Sequence, residues 1–92
     1  MSRRSRLDIY FVVLEAIGNG IDVPTRIIYE TNLSCEVGYS VFDALTRSGF
    51  IREEKEKNSV RFYLTKKGNN VLSYYWKALE ERARLIQSDV IT

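Results

Sequence analysis

Histidine is absent from this 92-residue chain, and cysteine and proline occur once each. The absence of histidine removes the most frequent acid–base catalyst and metal ligand. With one cysteine, Cys35, the chain cannot form an internal disulfide, which is typical of a reducing compartment. We therefore expect a cytoplasmic protein.

Long apolar runs are also missing. The stretch that follows the arginine-rich start is interrupted by Asp8 and Glu15, so the sequence predicts neither a signal peptide nor a membrane span. No Cys/His cluster, glycine-rich phosphate loop or nucleophile with a partner base is present. We expect no enzyme activity, no cofactor, no metal and no small-molecule ligand.

The composition that remains is that of one folded domain, with 45% apolar and 28% charged residues. The formal net charge is only +2, but its distribution is uneven. Positive charge gathers in the N-terminal arm, in the predicted hairpin and in the last helix. Residues 7–48 are net negative. A field this small would steer a polyanion only modestly.

Apolar residues spaced by three and four predict helices at residues 6–18, 24–31 and 35–47. Asn19 and Gly20, which tolerate positive φ, end the first helix, Pro24 suits the start of the second, and Ser34 caps the third. The side chains expected to face inward are Leu7, Tyr10, Phe11, Leu14 and Ile17 in the first helix, Ile27 and Ile28 in the second, and Val37, Val41 and Leu45 in the third.

A hairpin and a long helix are predicted after Gly49, which serves as the left-handed cap of the third helix. Residues 50–54 alternate as a strand, residues 55–58 form a charged turn, and residues 60–64 form the return strand. Thr65 then caps a final helix of about 22 residues, 66–87.

The predicted order of helix, helix, helix, strand, strand, helix is that of a winged helix-turn-helix, an α+β fold that is mainly helical. The connection between the second and third helices is too short for a parallel hairpin and predicts a sharp crossing angle. We assign residues 1–65 to the winged-helix core and residues 66–92 to a dimerising helix, within one compact domain.

Three segments resemble small archaeal winged-helix transcriptional regulators, of a kind that also occurs in archaeal viruses. They are TRIIYETNLS at residues 25–34, LTRSGFI at 45–51 and YLTKKG at 63–68. The resemblance covers about residues 5–87. It implies a protein that binds double-stranded DNA and forms a homodimer through its long C-terminal helix.

In this fold the third helix enters the major groove, while the start of the second helix, the wing and an N-terminal arm contact phosphates or the minor groove. The residues that we predict to contact DNA are Ser34, Glu36, Tyr39 and Ser40 on the third helix, Thr25 and Arg26 on the second, Lys55, Lys57, Asn58 and Arg61 in the wing, and Arg3 and Arg4, with Arg6, in the arm.

The last helix carries a heptad-like seam. Leu72, Leu79 and Ile86 are seven residues apart, and Tyr75, Trp76, Ala83 and Val90 occupy companion positions. Val71, Leu72 and Tyr75 are expected to pack partly on the domain's own core, and the remaining stripe predicts a dimer interface. The residues assigned to this interface are Leu72, Tyr75, Trp76, Leu79, Ala83 and Ile86.

The sequence also admits a second interpretation, a winged helix that binds another protein and not DNA. The carboxylates Glu36 and Asp43 on the third helix would then be no obstacle. Tyr39, Tyr74 and Trp76 would serve as contact anchors.

Overall fold

The computed structural model describes the backbone of residues 5–91 and the side chains of residues 5–86. The two strands pair antiparallel in one sheet. The element order is the predicted one, and the first three helices have the predicted bounds. The elements are α1 Arg6–Gly18, α2 Pro24–Thr31, α3 Cys35–Arg47, β1 Ile51–Glu56, β2 Ser59–Leu64 and α4 Lys66–Ile91.

One apolar core lies where the first three helices meet the hairpin. Val13, Ile27 and Val41, one from each helix, are 0% exposed. Ile51 and Phe62 close the core from the two strands at 2% and 5% exposure. Each large apolar side chain buried in this way contributes about 1.5–3 kcal/mol, so the hairpin is part of the core and not an appendage.

The bounds of α1 are as predicted, but the burial of its side chains and the conformation of Asn19 after it differ from the prediction. Leu7, expected to face inward, is 61% exposed, because contact with the core begins only at Ile9. Val13 is fully buried although the spacing argument did not select it. After the helix only Gly20 adopts a positive φ, of 97°, while Asn19 has φ −85°. The sequence of α1 is apolar around most of its circumference, so spacing alone could not identify its buried side.

The hairpin is longer and its turn tighter than predicted. β1 continues to Glu56, and Lys55, which we had placed in the turn, pairs with Val60 in the ladder. Only Lys57 and Asn58 remain as the turn. The prediction placed Lys55 in the turn because of its charge. The side chain of Lys55 is exposed on the strand, so its charge stays in water while its backbone groups form the hydrogen bonds of the ladder.

The two sequence segments that flank the hairpin contact each other and fix the start of α4. The Thr65 hydroxyl donates to the Gly49 carbonyl at 2.6 Å and accepts from the Gly68 backbone N–H at 3.1 Å. The Thr65 N–H donates to the Phe50 carbonyl at 3.1 Å. Thr65 is therefore the cap predicted for α4, and it also ties this helix to the end of α3.

α4 ends at Ile91 and not at residue 87 as predicted, so it has 26 residues and a length of about 39 Å. Its early part packs on the domain through Val71, Leu72 and Tyr75, which are half-buried. Every residue from 76 to 86 is exposed. No helix among the described residues combines the length and the apolar run needed to cross a bilayer.

Candidate nucleic-acid interface

One side of α3 packs in the core, and the opposite side is exposed to solvent. Its buried side consists of Val41, Phe42 and Leu45, each at most 3% exposed. The Ser34 hydroxyl accepts from the Val37 N–H at 3.1 Å, as expected for a helix cap. Packing and capping therefore fix both the position and the rotation of this helix.

The contact between α2 and α3 depends on Gly38, in the middle of α3. A Cβ at this position would lie 2.5 Å from Cγ1 of Ile28 on α2, closer than two such carbons can approach. The turn between the helices closes with Asn32 in the left-handed region, at φ 58°. The close approach and the tight turn together produce the sharp crossing that turns the outer face of α3 toward solvent.

The four α3 residues predicted to contact DNA all lie on the exposed surface. They are Ser34, Glu36, Tyr39 and Ser40, of which Tyr39 is 51% exposed. The Tyr39 ring is braced edge-on by the buried ring of Phe42, with centroids 5.5 Å apart. Apart from the Val37 N–H, which caps the helix through Ser34, Arg6 is the only described residue that forms a hydrogen bond with a side chain of this set. The other described residues therefore leave the polar face of α3 uncovered.

The two carboxylates of this face, Asp43 and Glu36, differ in whether they form an ion pair. Asp43 forms an ion pair with Arg47 one turn later, at 3.1 Å, and this pair compensates its charge. Glu36 forms no ion pair among the described residues. It lies in the first turn of α3, where the helix dipole favours a negative charge.

The start of α2 offers backbone donors next to a cation. Thr25 and Arg26 follow Pro24 in the first turn, and both are exposed. The residue before the helix, Val23, supplies no side-chain cap. The first N–H groups of α2 are therefore available to an anion, with the charge of Arg26 beside them.

The hairpin tip carries an exposed lysine in a strained conformation. Lys57 has φ 45°, the left-handed region, which costs an L-residue with a Cβ roughly 1–2 kcal/mol. Asn58 completes the tip and is also exposed, as is Lys55 two residues before Lys57. Two cations thus lie at the far end of the hairpin.

Arg61 lies closer to the base of the hairpin and is already engaged. Its Nη1 donates to Oδ2 of Asp22, in the connection between α1 and α2, at 3.0 Å. The hydrogen bond to Asp22 and the charge of that carboxylate raise the pKa of Arg61 above its ordinary value. The Phe62 N–H also donates to the Asp22 carbonyl, at 2.9 Å. Arg61 therefore helps to hold the hairpin against the core, and much of its charge is compensated.

The arm residues divide into two groups. Arg3 and Arg4 lie outside the described residues. Arg6, which the prediction placed both in the arm and at the start of the first helix, is the first residue of α1, and its Nη2 donates to the Ser40 hydroxyl of α3 at 3.3 Å. The capping box formed by Ser5 and Asp8 starts the helix at this point and is the sequence signal that separates Arg6 from Arg3 and Arg4.

The residues predicted for the dimer interface also divide. Leu72 and Tyr75 are half-buried in their own domain, where the Tyr75 ring stacks on Phe11 with centroids 4.0 Å apart and an angle of 7°. The other four form an exposed stripe. They are Trp76 at 47%, Leu79 at 37% and Ile86 at 54% exposure, together with the exposed Ala83.

Comparisons with known proteins agree on the fold. A family model described as winged helix-turn-helix matches residues 3–83. The uncharacterized protein MJ0287 of Methanocaldococcus jannaschii is 33% identical over 78 residues, which cover 85% of this chain and 76% of that protein.

Two solved structures superpose well at low identity. The MarR family transcription regulator SP03579 has a TM-score of 0.80 at 13% identity, over 87% of this chain and 56% of that one, so this chain spans little more than half its length. Sso10a-2, a DNA-binding protein from Sulfolobus solfataricus, has a TM-score of 0.74 at 22% identity, over 94% of this chain and 90% of that one.

Proposed function

The chain belongs to the winged helix-turn-helix family, and on this premise we propose that it is a transcriptional regulator that binds specific sequences of duplex DNA as a homodimer. Winged-helix transcription regulators are not enzymes, which confirms the prediction from the sequence that this chain is not one. The observation that carries the DNA-binding proposal is the uncovered polar face of α3, with exposed cations on α2 and β1, the elements that contact this helix.

The dimensions of α3 suit the major groove. Its 13 residues give a length of about 20 Å and a diameter of about 10–12 Å, against a groove about 12 Å wide. The exposed residues of its N-terminal half would reach base edges. Glu36 can accept from the amino group of cytosine, and Tyr39, Ser34 and Ser40 can donate to or accept from bases or phosphates.

The flanking groups would hold the phosphate backbone. The first turn of α2, with Thr25 and Arg26, supplies backbone N–H groups and one charge. The wing supplies Lys55, Lys57 and Asn58, while Arg61 would contact DNA only with the donors that Asp22 leaves free. Arg3 and Arg4 remain candidates for an arm along the minor groove.

Homodimerisation through α4 would account for its exposed apolar stripe. Trp76, Leu79, Ala83 and Ile86 are exposed on a protruding helix, where the described ring contact is that of Trp76 with its neighbour Tyr75, at 6.4 Å between centroids. A second copy would bury the same stripe on both sides of a two-fold axis. The dimer would present two α3 helices to successive major grooves, roughly 34 Å apart. Residues 1–65 would then bind DNA and residues 66–92 would hold the dimer together.

The likeness to proteins of two archaea favours an archaeal or archaeal-virus source. A protein that acts on DNA works inside the cell, in keeping with the single cysteine. We propose a cytoplasmic location on these grounds.

The direct test is a salt titration of binding to a mixed-sequence duplex. DNA binding through several phosphates makes the logarithm of the affinity fall linearly with the logarithm of salt concentration. Lys57→Glu is expected to weaken binding to every sequence and to reduce this slope, because a phosphate contact at the wing tip is lost and a repulsion replaces it. Fluorescence anisotropy at several salt concentrations measures both quantities.

Lys57→Gly is the matched variant, because it removes the same charge but also relieves the positive φ. We expect it to raise the free energy of unfolding by about 1 kcal/mol while it still weakens DNA binding. Thermal unfolding followed by circular dichroism gives the first result and anisotropy the second. Unchanged DNA affinity in both variants would remove the wing from the interface.

The protein-binding alternative rests on Glu36, which has no described ion pair, and on the exposed ring of Tyr39. It predicts no detectable affinity for duplex DNA even in dilute buffer. That result with a folded protein would overturn the regulator proposal and favour the alternative.

A further inference from the structure

Arg6 differs from most of the described arginines because its side chain is bound by hydroxyl groups and not by a carboxylate. Arg47, Arg52, Arg61 and Arg84 each form an ion pair with a carboxylate. Arg6 is held only by uncharged groups. Its positive charge is therefore fixed in place but not compensated.

Two hydrogen bonds and a ring define the orientation of the Arg6 guanidinium. Its Nε donates to the Tyr10 hydroxyl at 3.1 Å, its Nη2 donates to the Ser40 hydroxyl at 3.3 Å, and its central carbon lies 5.5 Å from the centre of the Tyr10 ring. A guanidinium has five N–H donors. Three of them donate to no partner among the described residues. The planar guanidinium is therefore held through Nε and Nη2, and its remaining N–H groups are available to a ligand.

The Arg6 guanidinium lies beside the exposed face of α3. Ser40 is part of that face, and Arg6 approaches it from α1. A helix of about 10–12 Å diameter fills a major groove of about 12 Å, so a side chain at the flank of the helix meets the phosphates that line the groove. A guanidinium fork matches the oxygen atoms of a phosphate, and its fixed position reduces the entropy lost on binding.

We propose that Arg6 is a preorganised phosphate clamp, which binds the DNA backbone at the edge of the groove entered by α3. This inference rests on the proposed function. It also gives Ser40 a defined role, because a hydroxyl that accepts from Arg6 keeps its own proton to donate to DNA. Tyr10 acts as a positioning residue, since it holds Arg6 without reaching the ligand.

The test compares the salt dependence of duplex binding for the unmodified protein and for Arg6→Gln. Loss of one phosphate contact is expected to reduce the slope of log affinity against log salt by about 0.9 for each bound subunit. Arg84→Gln is the matched control, with the same change of charge on α4, about 25 Å along the helix from its first turn. This control is expected to leave the slope unchanged.

Arg6→Lys separates charge from geometry. It keeps one positive charge but has no planar fork, so we expect a slope like that of the unmodified protein with an affinity reduced several-fold. An Arg6→Gln slope equal to that of the unmodified protein would overturn the clamp while leaving DNA binding intact. An unmodified protein that fails to bind duplex DNA would instead overturn the proposed function and the clamp together.

Discussion

Leu79→Asp is expected to convert the protein from a dimer to a monomer of 10.7 kDa. Leu79 lies in the middle of the exposed stripe on α4, between Trp76 and Ile86. In a dimer the new carboxylate would be buried against the apolar side chains of the partner, where an unpaired charge costs several kcal/mol. Sedimentation equilibrium measures the mass directly.

The same variant should also weaken operator binding by about 10²–10⁴-fold, because each half-site is then bound independently. Leu79 is not part of the core, so the circular dichroism spectrum of the variant should still show the folded domain. A species with the sedimentation behaviour of the unmodified protein would refute this dimer interface.

Tyr74→Asp is the control for this prediction. Tyr74 is 74% exposed on the same helix but about 140° around it from Leu79, outside the stripe. The variant introduces the same charged residue and should remain dimeric.

Gly68→Ala is expected to be the most destabilising replacement of a described glycine by alanine. A Cβ at Gly68 would lie 2.0 Å from the carbonyl oxygen of Phe50, and this atom belongs to backbone that cannot rotate away. α4 would have to move off the end of α3, with the loss of the Thr65 hydrogen bonds that tie them. We expect a loss of about 1–3 kcal/mol and a fall in Tm of about 4–8 °C per kcal/mol.

Asn70→Ala supplies the control, two residues further along the same helix. Asn70 is exposed and forms no described side-chain hydrogen bond, so alanine there should leave the Tm unchanged or raise it slightly through its higher helix propensity. Thermal unfolding of both variants decides the point. A Gly68→Ala protein as stable as the unmodified one would mean that α4 is not seated against Phe50 in solution.

The bounds of α1, α2 and α3 and the start of α4 agree with the prediction because the signals that define them are local. Ser34 caps α3 through a hydroxyl three residues from its partner, and Pro24 starts α2 through the geometry of its own ring. The same holds for Thr65 at the start of α4. Such signals depend on neighbours along the chain, so the sequence contains all the information needed to read them.

The hairpin was predicted less well because its length depends on pairing. Lys55 pairs with Val60 in the β-ladder, and the charge of Lys55 does not indicate this pairing. Whether a strand continues is decided by the backbone groups of the opposite strand. The tight turn then forces Lys57 into a left-handed conformation that its residue type disfavours.

In the candidate interface, two arginines show how long-range contacts, which the sequence does not reveal, change the role of a residue. The sequence identified Arg61 as a wing cation and Arg6 as part of an arm. In the fold Arg61 lies against Asp22 and Arg6 lies against Ser40, contacts that span 39 and 34 residues. The first contact compensates a charge and the second leaves one available.

Local signals in the sequence suffice to predict the order of the elements, the bounds of α1, α2 and α3, the capping residues and the apolar spacing of α4, because each depends on periodicity or on groups a few residues apart. Long-range contacts of the folded chain set which arginines carry an uncompensated charge, how far the wing extends, and which part of the α4 stripe packs on its own domain. Those outcomes depend on contacts between segments distant in the chain, and residue type does not specify which segments will meet.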